Sequence, residues 1–402
     1  MNDRTLLVVS NGHGEDVIAA RLATATLAAS ELAGLNVVAM PLVGLGAAYQ
    51  RSGIETYGPR REMPSAGLTM HHPSLLLADL KAGILGLTVA QLSALRRARP
   101  LAVLVVGDAY AHAQAALTRA PRAVYQPLVS VHQSVGAPAL SLRRLFMDRI
   151  RAPELLLMRG AQRLYTRDAA TAEHLRERGL KSAQYLGNPM MDGLAPSAVA
   201  GEVPAAAGPV RQARPVRVAL LPGSRSYRDR SLALMLAALD AWEGPDLTAE
   251  IAWTEGATPE LPAPFALDAA GTWTSRNGSV KVSLRLDAFA AVLLNADAVL
   301  GTSGTANEQA AGVGLPVVAF PVLPDYGEPF LAGQKRLLGR ALEVVAAEPQ
   351  VVAAALGRAL HDASWRQAAA VDGRARMGDP GASERIAAEL ATWLDEVARR
   401  GA

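Results

Sequence analysis

Residues 298–321 read AVLGTSGTANEQAAGVGLPVVAFP, and they are the most informative stretch of the chain. Two apolar segments enclose a glycine-containing turn and a short helical pattern, as in a strand, helix and strand of a parallel sheet. The first N–H groups of a helix have no partner inside the helix. We therefore predict that the turn from Ser303 to Gly304 and Thr305 binds an anion such as a phosphate or diphosphate. Glu308 then lies one step beyond this anion, within reach of ribose hydroxyls.

A second interpretation of the same turn stays open. Thr305 and Glu308 match a capping box, in which the Glu308 side chain bonds back to the Thr305 amide and stabilises the helix start. The spacing alone does not separate capping from ribose binding.

Short β-rich segments alternate with helical patterns along the whole chain. Such alternation is typical of parallel sheets flanked by helices. The predicted strands are 6–10, 36–42, 101–107, 123–128, 163–166 and 183–187 in the first half, and 216–221, 249–253, 282–286, 298–301 and 316–320 in the second half. The sequence therefore predicts an α/β protein with two Rossmann-like, doubly wound domains that face a cleft, with ligands at the carboxyl ends of both sheets.

The length of the chain sets the number of domains. With 402 residues, half of them apolar, the chain is too long for one ordinary core and fits two domains. We place the first domain at 1–193, a linker rich in Ala, Pro and Gly at 194–215, and the second domain at 216–382. A last helical segment, 383–402, follows a Gly-Asp-Pro-Gly break and is expected to cross back to the first domain.

Composition excludes several classes of protein. The chain has no cysteine, so disulfides and thiolate chemistry do not contribute. The first residues lack the order of a signal peptide, and the most apolar segment, 75–95, is interrupted by Asp79 and Lys81. We therefore expect a cytoplasmic protein without a membrane span. Scarce aromatic residues and the lack of a binding motif argue against a nucleic-acid partner.

Residues 140–163 combine six arginines with leucine, isoleucine and phenylalanine at helical spacing. A basic amphipathic helix of this kind either lies on an anionic lipid surface or forms an ordinary solvated face that packs on its own core. The first alternative places the protein peripherally at the cytoplasmic face of the membrane.

Ionisable residues follow the first predicted strand. The turn Asn11-Gly12 leads into His13, Glu15 and Asp16. The third glycine of a dinucleotide fingerprint is missing, so we do not expect NAD. His13 and Asp16 are candidate functional groups. The alternative is that the acidic residues only complement the start of the helix.

Two further strand ends carry candidate site residues. Asp108 follows an apolar strand and is interpreted either as a general base or as the cap of the next helix. In the second domain the turn Gly223-Ser224-Arg225 follows strand 216–221, and Arg225 is suited to bidentate contacts with phosphate oxygens. The alternative interpretation is that Arg225 and two nearby arginines form an ordinary cluster on the protein surface.

Together these motifs resemble the lipid-A-disaccharide synthases and, more closely, the proteins described as lipid-A-disaccharide synthase-related. The resemblance covers nearly the whole chain and rests on five segments: 10–16 (SNGHGED), 187–194 (GNPMMDGL), 220–225 (LLPGSR), 304–310 (GTANEQA) and 330–339 (FLAGQKRLLG). It implies the two-domain GT-B glycosyltransferase fold and an inverting, metal-independent transfer of a GlcNAc or hexose-type sugar. The donor would be a UDP-sugar, with no other cofactor, and the acceptor a lipid or lipid-linked molecule. A homodimer stays open.

The resemblance also implies which residues bind the donor: Arg225 the diphosphate, Glu308 the ribose and Gln334 the donor sugar. Asp108 or His13 would act as base on the acceptor. The first loop departs from the family pattern Gly-Glu-x-Ser-Gly-Asp, because only Asp16 falls in register. A paralogue that glycosylates a lipid other than lipid A is therefore an open alternative.

Two other classes of function stay open. Non-hydrolysing UDP-N-acetylglucosamine 2-epimerases share the two-domain cleft and a uridine-diphosphate site, but they need no lipid-facing surface. The basic, apolar segment 140–163 therefore favours transfer. A sugar-nucleotide sensor would bind the donor without turnover.

Overall fold

The structure, a computed structural model, describes residues 4–63, 79–133, 152–194, 215–253, 259, 265–268, 271–275, 278–324 and 326–401. The chain forms two compact units: Met1–Asp192 with Pro380–Ala402, and Gly193–Asp379. Most of the predicted linker, residues 195–214, lies outside the described residues, as do residues 140–151 of the predicted basic helix.

The first unit is built on a parallel sheet. Its strands are β1 Thr5–Ser10, β2 Asn36–Pro41, β3 Glu55–Thr56, β4 Ala102–Val106, β5 Arg122–Gln126, β6 Arg163–Thr166 and β7 Ala183–Gln184. They lie in the order β3-β2-β1-β4-β5-β6-β7, and all neighbours are parallel. The central strands β1 and β4 are buried along their whole length. Burial on both faces explains why they appear in the sequence as unbroken apolar runs.

The second unit is built on a mixed sheet. Its strands are β8 Val216–Leu221, β9 Leu247–Trp253, β10 Ala266–Leu267, β11 Thr272–Thr274, β12 Val280–Leu286, β13 Ala298–Gly301, β14 Val317–Ala319 and β15 Leu342–Val344. They lie in the order β10-β11-β12-β9-β8-β13-β14-β15. The pairs β10–β11 and β11–β12 are antiparallel, and the other pairs are parallel. The second sheet is therefore parallel at its centre and antiparallel at one edge.

Helices alternate with the strands in both units. The helices are α1 His13–Ala29, α2 Ala47–Arg51, α3 Ile84–Arg97, α4 Ala109–Ala115, α5 Ala152–Met158, α6 Ala169–Glu177, α7 Arg228–Asp240, α8 Phe289–Leu294, α9 Gly304–Gly312, α10 Glu328–Leu338, α11 Pro349–His361, α12 Ala363–Met377 and α13 Ala382–Gly401. In the first unit, helices cover both faces of the sheet. Leu22 of α1 and Trp393 of α13 share one buried cluster with this sheet. Leu95 of α3, Ala111 of α4 and Met158 of α5 pack in the cluster on the other face. No described helix is both long and apolar enough to cross a bilayer.

The C-terminal helix α13 belongs to the first unit and is fastened there by Asp192. Asp192 Oδ1 accepts hydrogen bonds from the backbone N of Gly381 (2.6 Å) and of Ala382 (3.0 Å), and Oδ2 accepts one from the backbone N of Ser383 (2.7 Å). A carboxylate at the start of a helix satisfies N–H groups that lack helical partners. The aspartate of the GNPMMDGL segment therefore has a structural role, at the point where the chain leaves and re-enters the first unit.

Candidate functional site

The second unit brings two turns together at one point of its sheet. β8 and β13 are neighbours, and the chain continues from them towards opposite edges of the sheet. Loops diverge at such a switch point and leave a crevice at the carboxyl ends of the strands. The turn after β8 approaches the turn after β13, since a Cβ placed on Gly223 would lie 3.6 Å from the Cβ of Ser303. Gly223 has a φ of 83°, a conformation that favours glycine.

Helix α9 starts at this point without a side-chain cap. Ser303 is the N-cap residue, and its side chain makes no capping hydrogen bond. The N–H groups of Gly304, Thr305 and Ala306 therefore have no partner within the helix, and they lie at the positive end of its dipole. Thr305 lies inside the helix, so Thr305 and Glu308 do not occupy the N-cap and N3 positions of a capping box. The uncapped start of α9 is compatible with the binding of an anion at this turn.

The three arginines after β8 differ in what they contact. Arg228 lies over the ring of Trp253, with its Cζ 3.8 Å from the ring centroid. Arg230 donates a hydrogen bond to the carbonyl of Leu323. Arg225 is exposed, and its guanidinium makes no hydrogen bond or ion pair with any residue in the described part of the chain. Of the three, Arg225 is the cation that is available to an anion at this turn.

A buried polar network lies directly behind the start of α9. Asn307 donates from Nδ2 to the carbonyl of Gly301 (3.1 Å) and to Oε1 of Gln334 (3.1 Å). The Tyr326 hydroxyl also donates to Gln334 Oε1 (3.0 Å), and Gln334 Nε2 donates to the carbonyl of Gly304 (2.9 Å). The Gln334 side chain is 3% exposed, and its two partners are buried still more deeply. Burial raises the pKa of Tyr326, so its hydroxyl stays protonated and keeps donating.

These contacts give Gln334 a positioning role. The resemblance implies that Gln334 reaches the donor sugar, and that contact stays a prediction. In the structure, both polar ends of its side chain are engaged, and they tie α10 to the first turn of α9. Tyr326 was not predicted as a site residue, because it lies outside every motif and gains its partners only when the chain folds.

Three aromatic rings border the same turn. The rings of Tyr227 and Tyr326 stack with centroids 5.6 Å apart, and the ring of Phe330 lies 5.1 Å from that of Tyr326. Phe330 is partly exposed, and its Cζ lies 3.2 Å from where a Cβ on Gly304 would stand. An exposed aromatic edge therefore lies beside the free N–H groups of α9.

The first unit has its own switch point, between β1 and β4. Asn11 follows β1 and donates from Nδ2 to Asp108 Oδ1 (2.6 Å), while the backbone N of Asp108 donates to Asn11 Oδ1 (3.3 Å). A Cβ on Gly107 would lie only 1.9 Å from Asn11 Oδ1, so this exchange requires glycine at 107. Asn11 was not predicted as a site residue, although it lies inside the SNGHGED segment. It holds the Asp108 carboxylate at the carboxyl edge of the sheet.

Asp108 caps helix α4. Its Oδ1 accepts hydrogen bonds from the backbone N of Tyr110 (2.9 Å) and of Ala111 (3.4 Å). The capping interpretation is therefore confirmed. The described hydrogen bonds of this carboxylate converge on Oδ1, which leaves Oδ2 as the atom that could take a proton. The base role stays a prediction that is compatible with the cap.

His13 and Asp16 differ in exposure. His13 is exposed at the first position of α1, with its ring beside Gly44. Asp16 is 2% exposed and accepts a hydrogen bond from Ser10 Oγ (2.6 Å), which also contacts the Tyr49 hydroxyl at 2.5 Å. Burial raises the pKa of Asp16 from 3.8 to about 7, against the lowering effect of the Ser10 hydrogen bond. The catalytic role of Asp16 stays a prediction, and its carboxyl lies buried against Ser10.

Solved structures share this fold across the whole chain. A calicheamicin glycosyltransferase is 16% identical, with coverage of 100% of both chains and a TM-score of 0.60. The co-structure of S. aureus MnaA with UDP is 14% identical, covering 98% of this chain and 97% of that chain, with a TM-score of 0.57. A UDP-GlcNAc 2-epimerase from Neisseria meningitidis bound to UDP-GlcNAc is 14% identical, covering 98% of this chain and 100% of that chain, with a TM-score of 0.51. No protein-family model and no curated protein matches the sequence.

These likenesses concern the fold. They do not separate the lipid-A-disaccharide synthases from other proteins of the same architecture, so that resemblance stays a hypothesis. This chain has two mainly parallel sheets with switch points at β1–β4 and β8–β13, and its likeness to the solved structures extends over the whole chain. The chain therefore has the two-domain, Rossmann-like GT-B fold.

Proposed function

We propose that the protein is a glycosyltransferase that moves a GlcNAc or hexose-type sugar from a UDP-sugar to a lipid or lipid-linked acceptor. One observation carries the proposal: the Gly223 turn, the uncapped start of α9 and the available Arg225 meet at the switch point of the second unit. Free N–H groups and a guanidinium at the carboxyl edge of a sheet suit the two phosphates of a nucleoside diphosphate. A solved structure of the same fold that holds UDP supports the choice of nucleotide.

In the proposed donor complex the diphosphate lies against the first N–H groups of α9, between the Gly223-Ser224 turn and Ser303. Arg225 binds the phosphate oxygens, and Glu308 accepts hydrogen bonds from the ribose hydroxyls. The resemblance in segments 220–225 and 304–310 supports both roles. The lipid nature of the acceptor rests on the resemblance alone.

The proposed reaction is a single displacement that inverts the anomeric carbon. The acceptor oxygen bonds to this carbon while the bond from the carbon to the β-phosphate oxygen breaks, and the electron pair of that bond leaves with UDP. The proton of the acceptor hydroxyl passes to Asp108 Oδ2, with His13 as the alternative base. Arg225 and the N–H groups of α9 stabilise the charge on the leaving diphosphate.

Product analysis tests the proposal. The protein is incubated with a panel of radiolabelled UDP-sugars and a total lipid extract, and we expect free UDP together with a labelled glycolipid. Interconversion of the sugars without release of UDP would contradict transfer and identify an epimerase. Donor binding with neither product would identify a sensor.

The donor site is tested by titration calorimetry with UDP. We expect Arg225→Ala to weaken UDP binding roughly 10- to 100-fold, the worth of a hydrogen bond to a charged group, and Glu308→Ala to weaken it in the same direction. Arg225→Ala should not change the melting temperature much, since the Arg225 guanidinium has no hydrogen bond or ion pair to lose in the described part of the chain. Arg374→Ala, an exposed arginine of α12, is the matched control. Unchanged UDP affinity in Arg225→Ala would overturn the assignment.

A further inference from the structure

The outer surface of the first unit carries exposed apolar side chains: the stripe of Leu85 and Val89 on α3, and Leu156 on α5. Leu85 and Val89 of α3 are 66% and 67% exposed, and Leu156 of α5 is 66% exposed. These are the three most exposed large apolar side chains in the described part of the first unit. Leu85 and Val89 are four residues apart and therefore lie on the same face of their helix. Single apolar residues on a surface need no explanation, but three within one layer do.

The three side chains belong to one layer of helices. α4 contacts both α3 and α5, and the inner sides of all three helices pack on the same face of the first sheet. Leu95 of α3 and Met158 of α5 are fully buried there. Leu85, Val89 and Leu156 are consequently on the outer side of this layer, opposite the face covered by α1 and α13.

The same layer is positively charged. Its exposed charged residues within the described segments 79–99, 109–120 and 152–160 are Lys81, Arg96, Arg97, Arg99, Arg119 and Arg159. No aspartate or glutamate of these segments is exposed, because Asp79 is buried and Glu154 is half-buried. Cations beside exposed apolar side chains match the chemistry of an anionic lipid surface.

The stripe begins near the predicted base. α3 leads through residues 98–101 to the amino end of β4, so its own start lies towards the carboxyl edge of the sheet. Thr88 of α3 and Tyr110 of α4 form a hydrogen bond, with Oγ1 and the hydroxyl oxygen 2.8 Å apart. Tyr110 in turn donates its backbone N–H to Asp108. The exposed apolar end of α3 is therefore close to the edge that holds Asp108.

We propose that this docking layer, formed by the outer faces of α3 and α5, binds an anionic phospholipid bilayer. Leu85, Val89 and Leu156 enter the headgroup region, while Arg96 and Arg97 pair with lipid phosphates. The inference deepens the proposed function and rests on it in one respect: a lipid acceptor would then reach Asp108 directly from the bilayer.

Vesicle co-sedimentation of the full chain tests the docking layer. We expect binding to vesicles of phosphatidylcholine mixed with phosphatidylglycerol, no binding to phosphatidylcholine alone, and weaker binding at high salt. The pair Arg96→Gln with Arg97→Gln should weaken binding about 30-fold, about fivefold for each cation. The pair Leu85→Ser with Val89→Ser should weaken it at least about tenfold.

Matched controls lie on the opposite layer. Arg399→Gln with Arg400→Gln on α13, and Leu27→Ser on α1, also change exposed residues, and binding should stay unchanged in them. The inference is overturned if the wild type does not bind the anionic vesicles, or if the control variants lose binding equally. It is also overturned if light scattering shows a dimer that Leu85→Ser with Val89→Ser dissolves while vesicles stay unbound, since the stripe would then join two copies of the chain.

UDP titration separates this inference from the proposed function. The docking variants lie in the first unit and should keep the UDP affinity of the wild type. If the wild type binds UDP but does not bind anionic vesicles, only the inference about the docking layer is overturned. If the wild type binds anionic vesicles but does not bind UDP, only the proposed function is overturned.

Discussion

Replacing Gln334 by alanine removes the side chain that joins α10 to the first turn of α9. The Asn307 amide, the Tyr326 hydroxyl and the Gly304 carbonyl each lose a partner. Asn307 keeps the Gly301 carbonyl and the Tyr326 hydroxyl oxygen as acceptors, whereas the hydroxyl hydrogen of Tyr326 loses its described acceptor. Each buried polar group left unpaired costs about 1–3 kcal/mol. We therefore expect Gln334→Ala to lower the free energy of unfolding by about 3 kcal/mol, or the melting temperature by roughly 6–12 °C.

Calorimetry distinguishes positioning from direct contact with the sugar. If Gln334 positions α9, the melting temperature and the affinity for UDP fall together, because the N–H groups that face the diphosphate move. Gln367→Ala, at an exposed position of α12, is the control and should change the melting temperature by less than about 2 °C. Unchanged melting temperature and UDP affinity, with weaker binding of the UDP-sugar only, would refute the positioning argument.

Three further predictions concern the first unit. Asp108→Asn keeps the oxygen that caps α4 but not the base, so glycosyl transfer should fall about 10²- to 10⁴-fold at unchanged UDP affinity; an unchanged transfer rate would contradict the base role. Burial raises the pKa of Asp16 to about 7, so folding favours its protonated form, and the stability it adds is lost as the pH rises towards 7. Denaturant titrations of the wild type should show a loss of about 2–3 kcal/mol between pH 5 and pH 8 that is missing in Asp16→Asn; equal pH dependence in both would contradict this. Asp192→Ala should lower stability by about 1–2 kcal/mol and expose α13 to proteolysis, whereas Asp192→Asn, which keeps one of the two accepting oxygens, should lose less; equal stability in the alanine variant would contradict the cap.

The strands and their switch points could be predicted because the physics that produces them is local. A strand buried on both faces must be apolar throughout, as β4 is, and a helix that starts at its carboxyl end needs a turn with free N–H groups. Each predicted strand overlaps one in the structure. The short strands β3, β10, β11 and β15 were not predicted, since two or three residues are too few to show a period.

The side-chain partners at the site could not be predicted, because they join residues far apart in the chain. Asn11 and Asp108 are 97 positions apart, and Asn307 and Gln334 are 27 apart. Nothing local distinguishes the exposed His13 from the buried Asp16 three residues later. The direction in which α1 turns its side chains against the sheet decides that difference.

A crystal structure of the chain with UDP bound would show directly whether the donor binds at the start of α9. We expect diphosphate oxygens within about 3.2 Å of the first N–H groups of α9 and of the Arg225 guanidinium, with the ribose beside Glu308. UDP bound elsewhere, with the Gly223 turn and the start of α9 left empty, would contradict it.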